Sequence, residues 1–202
     1  MKTYHHGNLK KELIKCACKM CERDGYTKLS IRSLAKESKV SQTAPYRHFK
    51  TKEDLYAAII KEGFEKLNRE MKSIQIKNAK NYLISCGKTY IDFGLKNANT
   101  YDLMFGTAVG NYADYPDLSE SANRLFQFLM SSFKRLSDDD NEIIAFKCIT
   151  LWSMVHGLVG IIRKVNIAGD GSEDGPMPFA NQISKNLDFH LDKVITGIIE
   201  TD

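Results

Sequence analysis

A series of stop and start signals cuts the first seventy residues into four helices with no strand signal, a compact helical head. From Asn8 to Asp24 the apolar residues Leu9, Leu13, Cys16, Ala17, Met20 and Cys21 recur at three and four, the period of an amphipathic helix. Gly25 supplies its stop. Ser30 is a good N-cap for a second helix, Ile31 to Ser38, with Ile31, Leu34 and Ala35 facing inward. A turn at Lys39 and Val40 follows, and Ser41 can cap a third helix through Phe49. Pro45 falls early in that helix, where few backbone bonds are lost. Thr51 with Asp54 has the spacing of a capping box and opens a fourth helix from Lys52 into the low seventies, with Leu55, Ile59, Phe64 and Leu67 apolar.

Helical periodicity continues through Asn81–Leu95, Thr100–Phe105, Leu118–Leu136 and Asn141–Val165. A last helix from about Asn181 carries Ile183, Leu187, Leu191, Val194, Ile195 and Ile198. Loops are marked by Gly106 to Pro116 and by the Gly, Pro and acidic cluster from Gly169 to Pro178. The reading is all-α, about nine helices. A head over 1–66 joins a helical body over 67–202.

Charge separates these two parts. Residues 1–66 hold 15 Lys and Arg against 8 Asp and Glu, whereas the remainder holds 14 against 17. A basic surface of this kind attracts phosphate backbones through counterion release. The longest apolar run, Leu151 to Ile162, is 12 residues and includes His156, too short for a membrane span. The opening MKTYHHGNLKKEL lacks the apolar middle of a secretion signal. Five cysteines without a disulfide pattern fit a reducing compartment, so a cytoplasmic location is expected.

Two short helices joined by a tight turn behind a supporting helix are the geometry that lays a recognition helix in the major groove. The stretch SIRSLAKESKVSQTAPYRHFKTKEDLYAAI resembles the signature of the TetR family, from its second helix to the start of its fourth. The opening YHHGNLKKEL and the Gly25-Tyr26 turn extend the likeness. The resemblance implies a dimeric DNA-binding regulator, by the family's habit a repressor, with Ser41 to His48 as recognition helix. Gln42, Thr43, Ala44 and Arg47 would meet bases. Chemistry agrees: Gln bonds bidentately to adenine and Arg to guanine, and Thr and Ala methyls suit the thymine methyl. Tyr46, His48 and Lys52 fall where the family touches phosphate, the helix N-terminus at Lys52 adds amides, and Ser30 and Arg32 would clamp a neighbouring phosphate. Pro45 departs from the bulky apolar residue usual in its slot.

The likeness reaches the body at ITLWSMVHGLVGI, where Trp152, His156 and Gly157 match a W-x-x-x-H-G pattern of one TetR subgroup. Trp152 and His156 lie one turn apart, and Gly157 and Gly160 permit a second backbone to approach. The family pairs its last two long helices across a two-fold axis. Here that implies 141–165 and 181–199, with Ile143, Ile144, Gly157, Gly160, Leu187, Leu191 and Val194 at the interface. Half-sites would lie roughly 34–36 Å apart. Phe93, Tyr101, Met104, Phe105, Phe126, Met130, Phe133, Trp152 and His156 offer enough aromatic and sulfur surface to line a cavity for an apolar or cationic effector. Such a ligand would release DNA by population shift.

Three other readings compete. CACKMC at 16–21 contains a C-x-x-C, but Cys16 and Cys21 fall on the inner face of the first helix, Cys18 points away, and no second ligand pair accompanies them; no metal or other cofactor is expected. An enzyme would need a motif that is absent: no Gly-rich phosphate loop, H-E-x-x-H or G-x-S-x-G occurs, and Cys148 and His156 are two turns apart. The third keeps DNA binding, architectural or regulatory, but gives control to a protein partner in place of a small molecule.

Overall fold

The computed structural model describes residues 6–168 and 175–200. Among them are nine α-helices and no strand: α1 His6–Asp24, α2 Ile31–Glu37, α3 Lys52–Lys72, α4 Ala79–Lys96, α5 Ala98–Phe105, α6 Pro116–Phe133, α7 Asn141–Ala168, α8 Met177–Lys185 and α9 Leu187–Glu200. Residues 169–174 of the expected Gly169–Pro178 loop, and Tyr4 and His5 of the opening motif, lie outside the described residues. The chain forms two compact units. One takes the residues up to Lys66 with Asn97–Asn123, the other Leu67–Lys96 with the residues from Arg124 onward. The return of 97–123 to the first unit is absent from a division made once, after residue 66.

Local chemistry sets the ends of the first unit's helices. Gly25, at φ 82°, stops α1 and donates its amide to the Cys21 carbonyl at 2.9 Å. Ser30 accepts the Ser33 amide at 3.0 Å while the Ser30 amide reaches the Ser33 hydroxyl at 2.9 Å, a reciprocal cap on α2. The turn after α2 is a Schellman motif: Val40 bonds the Ala35 carbonyl, Lys39 the Lys36 carbonyl, and Lys39 takes the left-handed conformation at φ 54°. Leu13, Ala17, Leu34, Phe49, Leu55 and Ile59 fill the space between these elements.

The expected third helix is not an α-helix. Pro45–Arg47 is a single 3-10 turn, with the Ala44, Arg47 and His48 amides each bonding three residues back. Proline has no N–H to give the Ser41 carbonyl, so the tighter repeat wins where the α repeat would be interrupted. Its side chain is buried at that point.

Residues 97–123 belong to the first unit because α1 and α3 provide their anchors. The Glu22 carboxylate on α1 accepts the Asn99 and Thr100 amides and the Thr100 hydroxyl, capping α5 from outside. Lys66 donates to Asn97 Oδ1 at 2.7 Å. Gly63 lies under Met104, whose Sδ is 2.5 Å from where a Cβ would stand, so a side chain at 63 would displace the Met104 thioether from its place against α3. Phe105 and Tyr112 pack their rings edge-on against Phe64.

The second unit is built on α4, α7 and α9, with α8 against α7. Gly87 of α4 lies 3.2 Å, by its absent Cβ, from Leu191 of α9. Leu83, Ile91, Phe93, Phe133, Ile144, Cys148 and Ile195 complete the core. Phe93 and Phe133, expected to line a cavity, are 1% exposed each. The single C-terminal helix expected from 181 is two, because Asn186 breaks it: its amide bonds the Gln182 and Ile183 carbonyls and its side-chain amide takes Gln182 again.

By length and composition α7 is apolar enough to cross a membrane over Asn141–Ile167, at mean hydropathy 1.6, although no uninterrupted apolar run is that long. Helical packing covers one side of it, where Ile144, Cys148, Leu151, Val155, Val159 and Ile162 are buried. The other side is open and carries Ile143, Phe146, Ile149 and Ile161, with Ser153 and Lys164 among them.

Candidate nucleic-acid interface

The segment after the Schellman turn sorts its side chains by burial. Ser41, Gln42, Thr43, Tyr46 and Arg47 are exposed, Ala44 and His48 are half-buried, and Pro45 and Phe49 are buried. Phe49, 1% exposed, anchors the turn in the core, while Tyr46 at 44% faces out. A surface row rich in Gln, Thr, Tyr and Arg on a turn pinned from beneath can present hydrogen-bonding groups to base edges. The Thr51–Asp54 box forms at 3.1 and 3.0 Å, and Asp54 accepts the Lys50 amide as well. That carboxylate therefore fills part of the anion site expected at the start of α3.

Lys52 supplies positive charge beside it. Its ammonium donates to the Thr27 carbonyl at 3.2 Å and lies 5.2 Å from the centre of the Tyr56 ring. Tyr56 also donates its hydroxyl to the Tyr26 carbonyl at 2.7 Å, tying the first turn of α3 to the loop that leads into Ser30. The sequence alone does not single out Tyr56, whose partner is a backbone atom thirty residues away. Ser30 spends its hydroxyl on the α2 cap and Arg32 is exposed beside it.

The residues expected to line an effector cavity fall in separate units. Tyr101, Met104 and Phe105 belong to the first, Phe93, Phe126, Met130, Trp152 and His156 to the second. In the second unit Trp152 Nε1 donates to Tyr90 Oη at 2.9 Å, and Tyr90 lies 3.1 Å from His156 Nδ1. Indole is only a donor, so the phenol oxygen accepts from it, and the same hydroxyl bridges Trp152 to the imidazole of His156. Burial holds the His156 pKa below its ordinary value, which keeps it neutral. Tyr90 is a further residue that sequence reasoning does not find; its position on the inner face of α4 reads only as core.

Of the expected interface residues, Ile144 and Leu191 are 0% exposed within the chain and belong to its core, so neither offers surface to a second copy. Leu187 and Val194 are half-buried, while Ile143, Gly157 and Gly160 are exposed. A Cβ on either glycine would meet nothing within 4 Å. Phe146 at 66% and Ile149, Ile161 and Ile167 add to this outer side of α7.

Cys18 is half-buried near Glu62 and does not point away as expected. Burial pushes its thiol up to about 12, that of Cys21 to about 11, and those of Cys86 and Cys148 to about 12. Among the described residues no three His, Cys, Asp or Glu side chains gather as metal ligands.

A helix-turn-helix head with an outward polar recognition turn, continued by an all-helical body, defines a DNA-binding transcriptional regulator. The chain belongs to the TetR family: residues 13–59 match "Bacterial regulatory proteins, tetR family", and residues 83–173 match "Tetracyclin repressor-like, C-terminal domain". No curated protein matches the sequence significantly. Among solved structures, the fold is similar to that of a Rhodococcus sp. RHA1 protein of unknown function, with TM-score 0.72 and 19% identity over 96% of this chain and 98% of that one. It is similar to a TetR variant from Acinetobacter baumannii AYE in complex with minocycline, with TM-score 0.62 and 18% identity over 93% and 94%. It is also similar to BioQ with its double-stranded DNA operator, with TM-score 0.62 and 14% identity over 98% and 100%.

Proposed function

We propose that the chain acts as a homodimeric, cytoplasmic repressor that grips a palindromic operator and releases it on binding a small molecule. The observation that carries the reading is the recognition turn, where Gln42, Thr43, Tyr46 and Arg47 are exposed on a segment anchored by Phe49. Gln42, Thr43, Ala44 and Arg47 read bases; Ser41, Tyr46, His48, Lys52 and Arg32 hold phosphate, and Ser30, its hydroxyl given to the α2 cap, fixes the turn of helix that carries Arg32. Pairing rests on α7, which carries large apolar residues on both sides. Such a helix calls for cover, and the strip Ile143, Phe146, Ile149, Gly157, Gly160 and Ile161 gives a second copy a flat place to sit. The effector reading rests on Trp152, His156 and Tyr90, an aromatic cluster joined by hydrogen bonds.

The test is selection of duplexes from a random DNA pool by the purified protein, with its mass in solution measured alongside. An inverted repeat bound by an even number of subunits is the expected outcome. A monomer, or a pool with no enriched sequence at moderate salt, would sink the reading.

A further inference from the structure

The basic charge of the first unit extends to a helix that the recognition turn does not use. On α1, Lys11, Lys15 and Lys19 follow one another at steps of four and are all exposed, with Lys10 exposed beside them. They occupy the side opposite Leu13, Ala17, Met20 and Cys21, which are buried. Residues four apart on a helix are neighbours, so each successive pair repels its like and lowers helix stability by about 0.2–0.5 kcal/mol. Among the described residues no salt bridge relieves them: Arg23 of the same helix pairs with Asp24 and Glu37, while these lysines pair with nothing. Glu12 flanks the row. Glu22, near its far end, has its carboxylate committed to α5.

We infer that Lys11, Lys15 and Lys19 form a second, sequence-independent phosphate-binding strip, which lies along the DNA backbone outside the base-read half-site. The inference rests on the DNA-binding reading above. Its support is spacing and charge. Steps of four residues place the ammonium stems about 6 Å apart along α1. Successive phosphates of one DNA strand, about 3.4 Å apart along the axis and turned about 36° around it, stand roughly 7 Å apart in space. Flexible lysine stems absorb the difference, and the unrelieved repulsion within the row falls when each ammonium meets a phosphate. Lysine acts here as a point charge with no base preference, in contrast to the Gln and Arg of the recognition turn.

The experiment compares wild type with the triple variant K11Q/K15Q/K19Q on two duplexes carrying the selected operator. One ends at the operator's outer base pairs; the other extends by about one helical turn, roughly 10 base pairs, on each side. Affinity is measured over a salt series. Each phosphate that the protein no longer neutralises lowers the log–log salt slope by about 0.9. The slope of the triple variant should fall by about 1 or more on the long duplex and stay at the wild-type value on the short one, with a melting temperature no lower than that of wild type. Equal slopes for both proteins on the long duplex would overturn the inference and leave the strip to an acidic protein. Equal losses on both duplexes would overturn it too, by placing the lysines within the operator. A wild type that binds neither duplex removes the DNA-binding reading itself, and this strip with it.

Discussion

The segment from Gly25 to Tyr56 and the core built by α4, α7 and α9 hold their polar groups in opposite ways. In the first, most side-chain partners are three or four residues apart: Ser30 with Ser33, Thr51 with Asp54, Asp54 with Lys50. In the second, beside local pairs such as Lys96 with Asp92, the bonds that join one helix to another come from far along the chain. Tyr90 meets His156 across 66 residues, Lys147 meets the Ile199 carbonyl across 52, and Lys88 meets Asp188 across 100. Local pairs fix the shape of one turn before the rest of the fold is in place. Distant pairs exist only once the helices have docked. The recognition segment is thus shaped largely by its own sequence, and the body's polar contacts by its packing.

The strongest break of this contrast is Phe49→Ala, which removes the larger of the two buried apolar residues, Pro45 and Phe49, under an otherwise locally held turn. Loss of a buried aromatic costs about 3–5 kcal/mol. The urea midpoint should fall accordingly and DNA binding should vanish; retained affinity would show that the caps alone hold the turn. Arg47→Ala leaves the turn intact and should remove about 1–3 kcal/mol of discrimination at one base position, read from affinities for single-base operator variants. Unchanged preference would take Arg47 out of the base-reading set. Lys39→Gly relieves a left-handed lysine, so the protein should gain about 1 kcal/mol in thermal unfolding. A drop in stability would mean that the lysine side chain contributes more than its backbone costs.

The smallest effect is a pH dependence belonging to the body. Burial sets His156 below its ordinary 6.5, so the unfolded chain takes up the proton first. The associated stability is complete above pH 6.5 and is lost as pH falls through the lower folded value. Thermal melts across roughly pH 5 to 8 should show this slope in wild type and lose it in His156→Gln. An identical slope in the variant would assign it to other groups.

The same contrast explains how much of the molecule is legible in its sequence. Gly25, the Ser30 cap and the Thr51–Asp54 box are visible because each signal and its partner lie within one window of sequence. The bounds of most body helices follow from apolar period, since packing demands it. Pro45 announces only the hydrogen bonds it removes, whereas the 3-10 turn arises from how its neighbours close up around the gap. Asn186 breaks a helix whose apolar stripe runs on through it, so period alone does not show the break. Tyr90 and Glu22 carry no signal at all until Trp152 or Thr100 is set beside them in space. The expected interface residues divide for a related reason: periodicity shows that α7 is apolar, but not which of its two apolar sides its own chain will cover.

The anchoring of α5 by Glu22 and Gly63 also has a consequence in time. A ribosome that has made the first 66 residues has finished the proposed recognition turn, yet Tyr101, Leu103 and Met104, all buried in that same unit, are still to come. At about 5–20 residues per second, the stretch to residue 123 takes roughly 3–11 s more. Until then the nascent head lacks one of its walls. The first unit is complete only after α4 has been made, so its core closes on a chain that has already begun its body.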